Sequence, residues 1–123
     1  MPRTALAYSN LHANSSIAEP AGTPVNPGAN NGHLIVDAVP ERTVLRVSNS
    51  AGEAKDVTVK AGDYPPAMAA GQGDLVVTVA DGATVLIGPF ESGRFISSGG
   101  ELHVDIQAAM TGEITAFQVP KAT

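Results

Sequence analysis

Hydrophobic and polar positions from residue 32 onward follow a two-residue period in short runs. Residues 55–60 alternate strictly and place Val57 and Val59 on one face, as in an antiparallel strand with one buried side. Further runs bring the predicted strands to eight, at residues 33–39, 43–47, 55–60, 74–79, 84–87, 94–96, 102–106 and 113–119. The pattern predicts an all-β protein whose body, residues 32–123, is an antiparallel β-sandwich or jelly-roll-like fold.

Two details of this pattern make specific predictions about the strands. Asp81-Gly82 is a short-hairpin signal and predicts that strands 74–79 and 84–87 pair with each other. In residues 113–119, apolar side chains occupy both phases of the alternation, which indicates either a strand covered on both sides or a strand with a bulge.

Residues 1–31 have a different composition and are predicted to form an extended N-terminal arm. They are rich in Ala, Asn, Ser and Pro and show no sustained period, and prolines at 20, 24 and 27 favour an extended backbone. The sizeable apolar side chains of the arm are Leu6, Tyr8, Leu11 and Ile17. A freely solvated tail has no use for them, so we expect them to bind a partner, the alternative being a disordered terminus.

A second candidate contact site is the long interruption between two predicted strands, residues 61–73. It contains Tyr64 and Met68 together with prolines and glycines. Loops of this length in a compact domain are commonly functional or disordered. We therefore predict Tyr64 and Met68 as further partner-binding residues.

Charge and cysteine content exclude several classes of partner and site. The chain has seven Lys and Arg against twelve Asp and Glu, a net charge of −5, and its basic residues are scattered. Nucleic acid and anionic membranes are therefore not expected as partners. No apolar run is long enough to span a bilayer, and the first residues lack the apolar segment of a secretory signal, so synthesis in the cytoplasm is expected. Without cysteine there are no disulfides or thiolate ligands.

Candidate chemistry is not found in the sequence pattern. His12, His33 and His103 have no second ligand at metal-binding spacing and are predicted to be solvated surface histidines. Acidic residues are spread over turns and strand edges, and no serine lies in a nucleophile elbow. We expect no catalytic residues, no metal and no cofactor, and hence no enzyme.

Several sequence segments of the body resemble those of a known family. The segments that carry the resemblance are LRVSN at 45–49, VTVKAG at 57–62, GDLVVTV at 73–79 and IGPFESGRF at 87–95. They resemble the head decoration (capsid-stabilising) proteins of tailed bacteriophages, particularly those of actinobacteria. The resemblance covers about residues 32–120 and includes no catalytic motif.

The resemblance implies a structural virion protein on the outer capsid surface. Its expected partners are the major capsid protein and further copies of itself, as a homotrimer, and it would be located in the virion after synthesis in the host cytoplasm. Two alternatives stay open. One is another virion part, such as a head-tail connector or a tail protein, and the other is a ligand-binding β-sandwich of the cell-surface type.

Overall fold

Strands dominate the structure, a computed structural model that describes residues 3–28, 31–61, 73–90, 95 and 100–120. These residues form ten strands and a short 3-10 helix, Pro40–Arg42. In chain order the strands are β1 (Thr4–Ala5), β2 (Tyr8–Asn10), β3 (Thr23–Pro24), β4 (His33–Ile35), β5 (Thr43–Ser48), β6 (Lys55–Val59), β7 (Leu75–Val79), β8 (Thr84–Ile87), β9 (Leu102–Ile106) and β10 (Glu113–Gln118). The all-β prediction is confirmed. The strand predicted at 94–96 lies outside the described residues except for Phe95, which is helical, so the prediction is wrong at that position.

Two sheets of five strands form a sandwich-like fold. Sheet A has the order β1-β4-β9-β6-β7, and sheet B has the order β2-β10-β5-β8, with β3 pairing along β10. Most neighbours are antiparallel, but β1 runs parallel to β4 and β2 runs parallel to β10. Both sheets are therefore mixed, and both include strands from the N-terminal arm.

The core lies between the sheets and is built from the apolar phase of each alternating run. Large inward side chains are almost fully buried, among them Ile35, Leu45, Val47, Val57, Val59, Val79, Leu102, Val104, Ile106 and Ile114. Burying one such side chain stabilises the fold by roughly 1.5–3 kcal/mol. The inward face predicted for residues 55–60 is confirmed.

The last strand, β10, is covered on both sides. Five consecutive residues pair regularly with β5, so the described ladder contains no bulge there. Ile114 and Ala116 face the core, while Thr115 is buried on the outer face. There it lies under Gly22, where an added Cβ would be 3.1 Å from the Thr115 hydroxyl oxygen. The arm therefore covers the outer face of this strand at Thr115.

The predicted hairpin between β7 and β8 is wrong. β7 pairs with β6 in sheet A and β8 pairs with β5 in sheet B, so the turn carries the chain from one sheet to the other. The tight turn itself is present, with the amide of Ala83 donating to the carbonyl of Ala80 at 3.0 Å. Turn chemistry fixes the reversal, but Val79 and Ile87 both enter the core and draw the two strands to opposite walls.

Asn49 holds this corner together from the end of β5. Its buried side-chain amide donates to the carbonyls of Glu53 and Val79, both at 2.8 Å. Its backbone donates to Ala83 at 3.0 Å and accepts from Gly82 at 2.8 Å. One buried polar side chain thus ties the turn to both sheets.

Candidate protein-binding surface

The first part of the arm, residues 3–11, closes one side of the sandwich. Between β1 and β2 the chain crosses from sheet A to sheet B, and Leu6 enters the core there with 4% of its surface exposed. The amide of Leu6 donates to Leu34 in β4 at 2.8 Å. The amide of Leu11 donates to Gln118 at the end of β10 at 2.9 Å. This segment therefore binds the body through main-chain hydrogen bonds and one buried side chain.

Tyr8 fixes the same segment through a closed hydrogen-bond network. The Thr43 hydroxyl donates to the carbonyl of Val39 at 2.7 Å, which uses its one proton. The Tyr8 hydroxyl must then donate to Thr43 Oγ1, 2.6 Å away, and it accepts from the amide of Val39 at 3.0 Å. All three polar groups are satisfied, so the Tyr8 ring is held in one orientation.

His33 is buried, with 0% of its surface exposed, so its assignment as a surface histidine is wrong. The amide of Asn26 donates to His33 Nε2 at 3.1 Å, and His33 Nδ1 lies 3.2 Å from the carbonyl oxygen of Thr4. Because Nε2 accepts, the proton is on Nδ1, which donates to Thr4. The strand period hid this, because the histidine takes an inward position at the start of β4. The neutral ring connects β1 to the segment between β3 and β4.

This arrangement makes stability dependent on pH. Burial lowers the pKa of His33 below its usual value of 6.5, and the nearby Arg3 charge acts in the same direction against the Thr4 hydrogen bond. The folded state therefore favours the neutral ring. The contribution of His33 to the free energy of unfolding is complete above about pH 6.5. It is lost as the pH falls toward the pKa of His33 in the folded state, by up to about 1.4 kcal/mol per pH unit.

We expect the free energy of unfolding to fall between pH 7.5 and pH 5, and His33→Gln to remove part of that slope. Glutamine keeps a donor and an acceptor but does not titrate. Denaturant titrations of both proteins at several pH values give the difference, in which the contributions of His12 and His103 cancel. Equal slopes for the two proteins would contradict the role of His33.

The predicted partner-binding residues divide into three groups. Leu6 and Tyr8 face the body of their own chain, and Leu11, the residue after β2, is half-buried. Ile17 is 36% exposed in residues 11–22, the connecting segment that joins β2 to β3. Tyr64 and Met68 lie outside the described residues. Of the described candidates, Ile17 presents the most open apolar side chain to a partner.

The most exposed large apolar side chain of the described residues is Leu86 in β8, at 69%, followed by Val76 in β7, at 55%. Val76 points outward from sheet A, and Leu86 points outward from sheet B. The two strands that carry them, β7 and β8, are edge strands joined by one tight turn. The sequence analysis missed Val76 and Leu86, although each is an apolar residue in the polar phase of its strand. That mismatch is the signal that marks an exposed apolar position.

β7 and β8 are edge strands, each with one strand neighbour among the described residues. Neither strand contains a charged residue or a proline. Soluble proteins usually guard such edges with charges, prolines or bulges, because unpaired main-chain groups bind other strands. We call these two strands, with Val76 and Leu86, the open side of the sandwich.

Charged side chains elsewhere are largely paired with each other. Arg46 contacts Glu19 of the connecting segment at 3.0 Å, and Arg3 forms an ion pair with Asp105. Lys60 lies 2.9 Å from Asp74 and 3.9 Å from Asp105, and its hydrogen bond to Asp74 raises the pKa of the ammonium group. These pairs are exposed or half-exposed and contribute little to stability.

A polar depression of about 420 Å³ lies on the outer face of sheet A, beside Asp56 and Asp105. Asp56 accepts a hydrogen bond from Thr78 at 2.7 Å, and Asp105 is engaged by Arg3. Within the described ranges, no three His, Asp or Glu side chains group closely enough to hold a metal ion. The described part of the chain also has no helix long and apolar enough to cross a membrane.

Comparison with protein-family models, with curated proteins and with solved structures gives no match to this chain.

Proposed function

We propose that this chain is a structural virion protein that binds the outer surface of a phage capsid and stabilises it. The observation that carries the proposal is the open side of the sandwich, where Leu86 is 69% exposed on an uncharged edge strand. The segments that resemble decoration proteins support the same function, and the resemblance implies that the partner is the shell protein.

An open strand edge can bind an extended segment of another protein. An extended segment of a partner that pairs with β8 forms main-chain hydrogen bonds at little sequence cost, and specificity comes from alternate side chains. Leu86 supplies an apolar contact next to those hydrogen bonds. A fully buried leucine contributes roughly 1.5–3 kcal/mol, equivalent to about a 10- to 100-fold change in affinity.

The partner is expected to be protein. The net charge of −5 disfavours nucleic acid and anionic lipid, because both carry the same sign of charge. Repeated attachment to a symmetric shell also favours self-association. The resemblance to decoration proteins implies that the self-associated state is a homotrimer.

The first test is quantitative mass spectrometry of density-purified particles from the source organism. A ratio to the major shell protein near one, or near one-third, supports a decoration protein. A trace ratio would instead support a head-tail connector or tail protein. Absence from particles would overturn the virion proposal and leave the ligand-binding sandwich as the better explanation.

The second test locates the contact surface. Leu86→Thr keeps a β-forming residue but removes the apolar side chain, and we expect it to weaken binding to purified shells about 10- to 100-fold. Ile17→Thr is the matched control, because it makes the same kind of change in the arm. Sedimentation of shells with each variant compares the two surfaces. Loss of binding with Ile17→Thr alone would show that the arm, and not β8, contacts the shell.

A further inference from the structure

We propose that residues 3–11 exchange between copies of this chain, so that the arm of one copy docks on the body of a second copy through the contacts it makes in its own. The occupant of this docking site is thus a second copy. The inference does not depend on the capsid, because it concerns only contacts of the chain with itself.

The first support is the length of the connecting segment between β2 and β3. Asn10, the last residue of β2, pairs with Gln118, and Thr23, the first residue of β3, pairs with Ile114 of the same strand. These two positions on β10 are about 14 Å apart at ~3.4 Å per residue. The twelve connecting residues, 11–22, can span up to about 40 Å. The segment is therefore much longer than docking within one chain requires.

The second support is the exposure of that segment. Every residue from His12 to Glu19 is exposed. Its ion pair between Glu19 and Arg46 is on the surface and is worth at most about 1 kcal/mol. Extending this segment toward another molecule therefore sacrifices little buried surface.

The third support is that the docking site is complete on the body. The arm binds Leu34 and Gln118 through main-chain groups, Thr43 through Tyr8, and His33 through the Thr4 carbonyl. All of these groups follow the connecting segment in the chain, so a second copy presents the same site. The contact free energy is then nearly equal within one chain and between two chains.

Concentration decides between the two arrangements. Docking within one chain benefits from an effective concentration in the millimolar range for a short flexible connection. Copies held side by side at fixed positions reach comparable local concentrations. We therefore expect docking within one chain in dilute solution and exchange between copies at high concentration or in an assembled array.

The experiment uses engineered cysteines, which the sequence allows because it contains none. Ala5 in β1 and Leu34 in β4 are register partners. The full-length variants Ala5→Cys and Leu34→Cys, carrying different tags, are co-expressed and also mixed at millimolar concentration after purification. Mild oxidation should give a covalent heterodimer whose yield falls at least several-fold on dilution.

The matched control pairs Ser48→Cys with Thr84→Cys, register partners in β5 and β8 of the body, which should give no heterodimer. The double variant Ala5→Cys, Leu34→Cys in dilute solution tests whether this pair can form a disulfide within one chain. If it does so while the mixed single variants give no more heterodimer than the control, the arm does not exchange and the proposal is overturned.

Discussion

Alanine in place of Gly112 is expected to destabilise the fold by about 3 kcal/mol or more, the largest effect of any small substitution considered. Gly112 precedes β10 with a φ of +134°, where side chains are strongly disfavoured. An added Cβ would lie 2.0 Å from the carbonyl oxygen of Ser48 and 2.8 Å from its carbonyl carbon. Because these are backbone atoms of β5, the clash can be relieved only by moving the strand. Urea denaturation followed by circular dichroism measures the loss.

Gly82→Ala is the control for this prediction. Gly82 also has a positive φ, +77°, but an added Cβ there would have no neighbour within 4 Å. The expected cost is therefore the backbone strain alone, about 1–2 kcal/mol. Equal losses for the two variants would show that the contact with Ser48 does not govern position 112.

Leu6→Ala is expected to lower the free energy of unfolding by about 2–4 kcal/mol. Leu6 is 4% exposed and fills the point where the arm crosses between the sheets. Removing its side chain leaves a cavity beneath the arm and weakens the docking of β1 and β2. The same denaturation experiment measures the loss, and proteolysis should then cleave the connecting segment faster.

Ile17→Ala provides the comparison within the arm. Ile17 is 36% exposed in the connecting segment, so its truncation should change stability by no more than about 0.5 kcal/mol. A loss at position 17 as large as that at position 6 would mean that the arm is not held by Leu6.

The positions of the body strands could be predicted from the sequence because apolar and polar residues alternate along a half-buried strand. The sequence did not predict which strands pair with each other. Asp81-Gly82 specifies a tight turn but carries no information about which sheet each flanking strand enters. That choice depends on Val79 and Ile87 filling opposite walls of one core, which is a property of the whole chain.

The candidate surface could be predicted only in part, because the sequence shows which residues are apolar but not what they contact. Apolar residues in the arm indicated contacts, but whether Leu6 binds a partner or its own body depends on the distance between two sheet edges. His33 was misjudged because a polar residue at the start of a strand is usually solvated. The sequence pattern also does not show that Asn26 and Thr4 hydrogen-bond to its ring. Val76 and Leu86 were visible as exceptions to alternation.

The parallel pairing of β2 with β10 also sets the order in which a newly made chain can fold. β2 begins at Tyr8, and its partner strand begins at Glu113, close to the end of the chain. During synthesis from the N-terminus, at roughly 5–20 residues per second, β2 must wait until β10 has been made before the two strands can pair. Contacts so distant along the chain also slow folding. β2 is thus made long before it can take its place in the sheet.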